Sequence, residues 1–339
     1  DAYRGLVEGR RFDDQASALE RQGRLAVYPS SHGQEACQVA AARVLDGAAD
    51  WLFPTYRDAV AIIGRGVPPA ETMVLLAGDW HSGYDVRAHR VATQSTPLAT
   101  QLLHAVGFAY AAKRRGDDTV VLALCGDGAT SEGDFHEAMN FASVFRVPVV
   151  FFVQNNGFAI SVPLSRQTAA PSLAHKAIGY GMPGQRVDGN DVAAVLSVLG
   201  TAVRRARAGD GPTLVEAHTY RMQAHTNADD DTRYRERAEV QAWVERDPLR
   251  RLRTHLRAVG ALDDETEARF AADAETLATE LRTALNTDAD LDPEDLFRFV
   301  TATRSPQLEE QWAMLRGEIE RTAAASGQAE SPSREGASR

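Results

Sequence analysis

Two short polar motifs follow apolar segments in the middle of the chain, and their side chains could hold a metal ion beside a phosphate group. The first motif is CGDG at 125–128 and the second is NN at 155–156, with 26 residues between GDG and NN. A carboxylate from Asp127, an amide oxygen from Asn156 and a loop carbonyl are hard oxygens, and Mg²⁺ takes its other ligands from diphosphate and water. The glycines would let the backbone approach a ligand, and a helix that begins near Ser131 would direct free N–H groups at an anion.

The segments that precede these motifs are predicted to be neighbouring strands of a parallel sheet. Residues 119–124 (TVVLAL) and 148–153 (PVVFFV) are short, apolar and rich in β-branched residues, which is typical of strands buried on both faces. Adjacent parallel strands lie about 4.8 Å apart, so Asp127 and Asn156 are expected in one crevice at the carboxyl edge of the sheet. Ligands of α/β proteins usually bind in that position.

The rest of the chain alternates between helical and strand patterns. This alternation predicts an α/β fold with a doubly wound parallel sheet flanked by helices. Residues 1–322 are interpreted as one domain that ends in charged helices, and the small polar residues at 323–339 are expected to be disordered. Further strands are predicted at 185–187 and 213–217, and helices at 35–45, 97–115, 132–145, 192–207, 239–246, 248–259, 265–285 and 307–322.

Composition excludes several classes of protein. The chain carries 37 basic and 47 acidic side chains, a net charge of −10, which argues against a nucleic-acid binder. No apolar run approaches the ~20 residues of a membrane-spanning helix. Two cysteines, Cys37 and Cys125, are too few for a disulfide framework or a cysteine metal site, so a soluble cytoplasmic protein is expected. The chain begins at Asp1, which leaves open whether a leader preceded it.

Each motif taken alone has an ordinary explanation as a turn. Their joint position after two buried strands favours the ligand site over that explanation. A nicotinamide-binding Rossmann site is disfavoured, because Gly126, Gly128 and Gly133 do not fit G-x-G-x-x-G, and the sequence contains no G-x-x-x-x-G-K-[ST] loop.

The GDG-x26-NN spacing resembles the thiamine diphosphate motif, and the wider sequence resembles the α subunit of the E1 component of 2-oxo acid dehydrogenase complexes. This resemblance implies a thiamine diphosphate-binding fold that decarboxylates pyruvate or a branched-chain 2-oxo acid. It also implies acyl transfer to lipoyl-E2 and an α2β2 heterotetramer with an E1 β subunit. The resemblance runs from about residue 1 to about 320 and is carried by 126–161, GQEA at 33–36, YR at 56–57, STPLATQ at 95–101, RVDG at 186–189 and the stretch 219–234.

The resemblance assigns roles to individual positions. Asp127 and Asn156 would bind Mg²⁺ by their side chains and Phe158 by its backbone carbonyl. Tyr56 and Arg57 would grip the diphosphate, with Arg221 as a second phosphate ligand; the less favoured alternative for Arg57 is a solvent-facing helix residue. The other implied cofactor contacts are the Leu98 carbonyl at the aminopyrimidine and, beside the diphosphate, Gly126, Gly128 and Ala129.

The segment 95–101 resembles the branched-chain members closely, where it builds a monovalent-cation site. By that resemblance Ser95, Pro97, Thr100 and Gln101 would hold K⁺. The alternative is an ordinary helix N-terminus, with Ser95 or Thr96 as the cap and proline in the first turn, and both readings can hold together.

His225 lies in a polar run without periodicity that is predicted to be a mobile loop, where a histidine is usually solvated. In the family this histidine reaches the reacting carbons and helps proton handling and acyl transfer to lipoyl, so a pKa near neutrality would suit it. Animal members carry a regulatory phosphoserine at the next position, where this chain has Thr226.

The choice of substrate and two rival functions stay open at this point. Gln154, where some branched-chain relatives have Arg, resembles the bacterial pyruvate type, whereas the segment 95–101 resembles the branched-chain type. The rivals are a stand-alone thiamine diphosphate-dependent decarboxylase and a non-catalytic metabolite-binding subunit. Because the family takes an activating glutamate from the β subunit, we expect this chain to be inactive alone.

Overall fold

Five parallel strands form the central sheet, and a separate antiparallel pair forms a small hairpin. The strands are β1 Trp51–Phe53, β2 Val121–Gly126, β3 Val149–Asn155, β4 Phe158–Ala159, β5 Val162–Pro163, β6 Gly184–Asp188 and β7 Thr213–His218. The sheet order is β1-β2-β3-β7-β6, and β4 pairs with β5. The chain therefore crosses the sheet from the edge strand β1 to β3, continues to the opposite edge at β6 and returns to β7 between them.

Helices account for most of the remaining structure. The computed structural model describes residues 1–78, 83–286 and 292–329. None of the described helices combines the length and the apolar character needed to cross a membrane. The helices are α1 Ala2–Arg21, α2 Glu35–Val44, α3 Ala59–Gly64, α4 Pro69–Ala77, α5 Val86–His89, α6 Thr100–Arg115, α7 Gly133–Phe145, α8 Val192–Arg207, α9 Arg237–Val244, α10 Pro248–Ala258, α11 Asp264–Leu285, α12 Asp295–Arg298 and α13 Pro306–Ala329.

Both faces of the sheet are buried, which explains why its central strands are apolar throughout. Leu122 and Phe152 point to one face, into a core shared with α2 and α8. Val121 and Phe151 point to the other face, into a core shared with α6 and α7. Fully burying each such side chain stabilises the fold by about 1.5–3 kcal/mol.

The register of the sheet aligns the ends of its central strands. Cys125 of β2 lies beside Val153 of β3, so the two strands end at the same edge. Hydrogen bonding between the β3 and β7 segments continues past the strands, since Arg221 N donates to Asn156 O at 3.3 Å. Asp127, Asn156 and Arg221 consequently lie at one edge of the sheet.

Both lysines of the chain bind backbone carbonyls of the segment between β2 and β3. Lys176 Nζ donates to Thr130 O at 2.7 Å, at the end of the turn after β2. Lys113 Nζ donates to Phe145 O at 2.8 Å and to Arg146 O at 3.1 Å, where α7 ends. Cations are favourable beside such carbonyls, so each lysine stabilises one end of this segment.

The predicted α/β class with a doubly wound parallel sheet is confirmed, while three details differ. The short β1 and the β4–β5 hairpin were not predicted. The described chain forms two compact units, Asp1–Thr287 and Asp288–Arg339, where the sequence was interpreted as one domain over 1–322. Helix α13 continues to Ala329 and so includes 323–329 of the segment for which disorder was expected; three consecutive alanines favour helix there. The remainder of that tail, 330–339, lies outside the described residues.

Candidate active site

A cleft opens at the carboxyl edge of the sheet, where ligands of α/β proteins usually bind. All ten residues predicted to bind the cofactor line this cleft, as does Phe158. The ten are Tyr56, Arg57, Leu98, Gly126, Asp127, Gly128, Ala129, Asn156, Arg221 and His225.

Asp127 is fully buried where β2 ends. Its Oδ1 accepts a hydrogen bond from Asn156 N at 3.2 Å, and its Oδ2 accepts one from Gln167 Nε2 at 3.1 Å. Burial raises the pKa of Asp127, and these hydrogen bonds oppose the rise. A cation beside the carboxylate would favour its ionised form, so this environment fits a metal ion.

Asn156 is held on several sides at the end of β3. Its Oδ1 accepts a hydrogen bond from Phe158 N at 3.3 Å, and its Nδ2 donates one to Gln34 Oε1 at 3.2 Å. Gly157 between them has a φ of 92°, which side chains rarely allow, so glycine permits this tight turn. Asp127 and Asn156 are thus brought together with defined side-chain orientations.

No group of three or more His, Cys, Asp or Glu side chains that could hold a metal ion exists in the ranges 1–78, 83–286 and 292–329. A metal ion in the cleft would therefore rely on the single carboxylate of Asp127 and on neutral oxygens. The remaining charge would come from a phosphate-bearing ligand, as is common for Mg²⁺.

Two buried guanidinium groups face the cleft without a carboxylate partner. Arg57 and Arg221 are 6% and 1% exposed, and no carboxylate among the described residues forms an ion pair with either. Arg57 Nη1 donates to Ser30 O at 2.9 Å, and Arg221 Nη2 donates to Ile160 O at 2.8 Å. Buried guanidinium groups lacking a counter-charge fit an anion such as diphosphate.

His225 contacts both of these arginines. Its Nδ1 lies 3.0 Å from Arg57 Nη2 and 3.2 Å from Arg221 Nη1. Burial and the two guanidinium charges lower the pKa of His225 to about 4. The role that the resemblance assigns to His225 would suit a pKa near neutrality, and the lowered value arises because Arg57 and Arg221 come from elsewhere in the chain. At pH 7 the imidazole is neutral, with Nδ1 as the acceptor and the proton on Nε2.

The loop that carries His225 is held by side chains. Asp229 Oδ2 accepts hydrogen bonds from His225 N at 2.7 Å and from the Tyr234 hydroxyl. The Tyr234 hydroxyl in turn accepts a hydrogen bond from Arg221 Nη2 at 2.7 Å. The loop is therefore ordered in this structure and places the partly buried His225 over the cleft.

The four residues predicted to hold a monovalent cation lie outside the lining of the cleft. Gln101 Nε2 donates to Leu98 O at 3.2 Å and to Leu124 O at 2.9 Å, while its buried Oε1 has no partner among the described residues. Thr100 Oγ1 donates to Asp134 Oδ2 at 2.9 Å, Ser95 is partly exposed and Pro97 is exposed. Capping by Ser95 or Thr96 is wrong, because Ala99 is the N-cap of α6 and no side chain caps it.

Several contacts at the site were not predicted from the sequence. Gln154 Nε2 donates to Asp58 Oδ1 at 2.6 Å, and Asp58 Oδ2 accepts from Thr55 N and Oγ1, both at 2.7 Å. Gln34 could have been noted inside the GQEA motif, whereas Gln167 lies in a loop without any pattern that points to the site.

Comparisons with known proteins bear directly on this cleft. A family model described as "Dehydrogenase E1 component" matches residues 4–285. The 3-methyl-2-oxobutanoate dehydrogenase subunit alpha of Mycobacterium tuberculosis is 51% identical over 320 residues, which cover 94% of this chain and 87% of that relative.

Two further relatives carry related names. The 2-oxoisovalerate dehydrogenase subunit alpha of Bacillus subtilis is 39% identical, covering 79% of this chain and 84% of its own. The pyruvate dehydrogenase E1 component subunit alpha of Staphylococcus aureus is 41% identical, covering 77% and 71%. Together with the matched family model, these similarities show that the chain belongs to the dehydrogenase E1 component family, whose members depend on thiamine diphosphate.

Proposed function

We propose that this chain is the α subunit of the E1 component of a 2-oxo acid dehydrogenase complex. It takes part in decarboxylating a 2-oxo acid and in passing the acyl group to lipoyl-E2. The observation that carries the proposal is one cleft in which Asp127 and Asn156 lie together with two unpaired buried guanidinium groups and His225.

Thiamine diphosphate, when bound, supplies the carbanion chemistry. The side chains of Asp127 and Asn156 and the carbonyl of Phe158 hold Mg²⁺. Tyr56 and Arg57 hold the diphosphate together with Arg221. The other contacts are the Leu98 carbonyl and the backbone of Gly126, Gly128 and Ala129. Gly128 suits that position because a Cβ there would lie 2.8 Å from Ala159 Cβ, so only a glycine leaves this wall undisturbed.

His225 handles protons at Nε2, because its Nδ1 faces two N–H donors. An anion bound by Arg57 and Arg221 offsets their charge, which removes one cause of the lowered pKa of His225. Binding of the diphosphate therefore raises the pKa of His225 toward neutrality, where proton transfer is most effective.

A β subunit is proposed to complete the site in an α2β2 assembly, and lipoyl-E2 is the acyl acceptor. Among the described residues that line the cleft, the carboxylates are Asp58 and Asp127. Asp58 is occupied by Thr55 and Gln154, and Asp127 is assigned to the metal ion. The acid that must activate the aminopyrimidine is therefore expected from the partner chain.

The substrate is proposed to be a branched-chain 2-oxo acid or pyruvate. The name of the relative at 51% identity favours the branched-chain substrate, whereas the pyruvate dehydrogenase relative at 41% identity keeps pyruvate as the alternative. Direct comparison of the two acids with the assembled enzyme distinguishes these choices.

A monovalent cation, K⁺, is proposed beside α6, held by Ser95, Pro97, Thr100 and Gln101. The support is the buried Gln101 Oε1, an acceptor without a partner among the described residues. A cytoplasmic location is also proposed, because Cys37 and Cys125 are both free and buried thiols.

Calorimetry of the purified chain with thiamine diphosphate and Mg²⁺ tests the proposal first, and Mg²⁺-dependent binding is expected. Decarboxylation of pyruvate and of 3-methyl-2-oxobutanoate is then followed with a dye acceptor, with and without an E1 β subunit from the same organism. Turnover only with the β subunit supports the proposal. Turnover by the chain alone would support a stand-alone decarboxylase, and failure to bind the cofactor even with the β subunit present would support a non-catalytic subunit.

A further inference from the structure

Two glutamine side chains contact the two side chains that are proposed to bind Mg²⁺. Gln34 Oε1 accepts a hydrogen bond from Asn156 Nδ2 at 3.2 Å. Gln167 Nε2 donates a hydrogen bond to Asp127 Oδ2 at 3.1 Å. Each proposed side-chain ligand thus has its own glutamine partner.

Gln34 determines which end of the Asn156 amide is free to act as an oxygen ligand. Asn156 Nδ2 is taken by Gln34 Oε1, and Asn156 Oδ1 accepts from Phe158 N. Rotating the amide by half a turn would set donor against donor at Phe158 and acceptor against acceptor at Gln34. The two contacts therefore keep Oδ1 as the oxygen that a metal ion requires.

The backbone around Gln34 is also held in a defined conformation. Gly33 has a φ of 90°, and a Cβ at this position would lie 2.1 Å from Tyr220 O, so only glycine fits. Thr219 Oγ1 donates to Gly33 O at 2.6 Å. Gln34 is 1% exposed and lines the cleft, and its Nε2 has no partner among the described residues. The structure therefore indicates no role for the Gln34 side chain other than its contacts in the site.

Gln167 connects Asp127 to the β4–β5 hairpin. Its Nε2 also donates to Val162 O at 3.0 Å, which anchors the amide between the hairpin and the carboxylate. The other carboxylate oxygen of Asp127 accepts from Asn156 N at 3.2 Å. With one donor on each oxygen, the plane of the carboxylate is set before any metal ion binds.

We propose that Gln34 and Gln167 are positioning residues for the magnesium site, holding Asn156 and Asp127 in the orientations that bind the ion. This inference rests on the proposed function, since it presumes the metal role of Asp127 and Asn156. Residues that orient metal ligands typically change metal affinity about 10- to 100-fold when they are replaced. Orientation should matter here because a single carboxylate serves the site.

The test uses full-length chains carrying Gln34→Met or Gln167→Met, which retain length but remove hydrogen bonding. The Mg²⁺ concentration for half-maximal thiamine diphosphate binding is measured by calorimetry and is expected to rise about 10-fold in each variant. Saturating Mg²⁺ should restore cofactor binding. Gln185→Met, on the exposed edge strand β6, is the matched control and should match the wild type.

Conservative variants separate positioning from a structural role. Gln34→Glu keeps an acceptor for Asn156 Nδ2, so its Mg²⁺ requirement should stay within about threefold of the wild type, well below the effect of losing an orienting partner. Gln167→Asn withdraws the amide from Asp127 and should behave like Gln167→Met. These two variants carry the test if either methionine variant fails to fold, as judged by thermal unfolding without ligand.

Three outcomes would overturn the inference: an unchanged Mg²⁺ requirement in the folded methionine variants, a Gln34→Glu variant as impaired as Gln34→Met, or no rescue by Mg²⁺. An enzyme assembled from the wild-type chain and its β subunit that binds no cofactor in Mg²⁺ would instead refute the proposed function, so the two failures are distinguishable.

Discussion

The two ends of the cleft are built in different ways. At the end proposed to bind Mg²⁺, here called the metal end, Asp127 and Asn156 directly follow β2 and β3, which lie inside the sheet with a hydrogen-bonded strand on each side. At the other end, His225 lies in a loop without helix or strand, held mainly by the side chains of Asp229 and Tyr234.

This difference indicates what each end depends on. The metal end depends on backbone positions that are held by the sheet and are lost only when the sheet unfolds. This end is therefore formed before a ligand binds. The loop end depends on a few side-chain hydrogen bonds and on the charges of Arg57 and Arg221, and such segments open at low free-energy cost. Substitutions at one end should therefore leave measurable properties of the other end unchanged.

Removing the carboxylate of the metal end should have the largest effect. We expect Asp127→Ala to weaken Mg²⁺-dependent thiamine diphosphate binding by about 100-fold or more, since losing a ligand exceeds the loss of a ligand's orienting partner. The fold should persist, because removing a buried carboxyl relieves a desolvation cost. Calorimetry and thermal unfolding measure both, with the exposed Asp210→Ala as control. Wild-type cofactor affinity in the variant would exclude Asp127 as a metal ligand.

His225→Ala should affect the loop end alone. Acyl transfer to lipoyl is expected to slow by about 100-fold, the lower range for a lost acid–base group. Cofactor binding should change little, because other groups hold the diphosphate. Reductive acylation of a lipoyl domain and calorimetry are compared on the same enzyme assembled with its β subunit. Unchanged turnover of the complex would rule out this role for His225.

A smaller effect is expected when the loop loses its anchor but keeps its histidine. Tyr234→Phe removes the hydroxyl that links Arg221 to Asp229, and about 30-fold slower acyl transfer is expected from losing two hydrogen bonds of roughly 1 kcal/mol each. Trypsin should cut faster after Arg233, while the Mg²⁺ requirement stays the same. Tyr110→Phe on the surface is the control. An altered Mg²⁺ requirement would mean that the two ends are coupled.

The smallest effect concerns pH and the stability of the free chain. Because the pKa of His225 is about 4 in the folded chain and near 6.5 when unfolded, the unfolded state binds more protons between these values. The free energy of unfolding should therefore fall as pH falls from 6.5 to about 4. Urea unfolding should show a shallower pH dependence for His225→Gln. Equal slopes would contradict the lowered pKa.

The sequence was sufficient for the parts of the site that follow directly from strands. β2 and β3 are apolar on both faces, so their ends and the positions of Asp127 and Asn156 could be predicted. The three-residue β1 and the two-residue β4 and β5 are too short to show a period. Helix α13 extends beyond its predicted end at 322. The prediction gave more weight to the polar composition after 322 than to the helix propensity of the alanines there.

Contacts between distant parts of the chain could not be predicted in the same way. The lowered pKa of His225 depends on Arg57, which lies 168 residues away in sequence. The pairing of Gln34 with Asn156 spans 122 residues. No local pattern encodes such contacts, since they are created by the turn at Gly33 and by the order of the strands in the sheet.

The two lysines that clamp the segment between β2 and β3 have a practical consequence for chemical labelling. Of 37 basic residues, 35 are arginine, so Lys113 and Lys176 are the only side-chain amines in these 339 residues. Amine-reactive cross-linkers would therefore react with these two lysines and with little else in this chain. Burial lowers the pKa of Lys176, which increases the share of its amine that is neutral and nucleophilic in neutral buffer. Acetylating it would remove the charge that holds Thr130 O, three residues from Asp127, so an acyl donor would test the turn proposed to bind the diphosphate without any mutation.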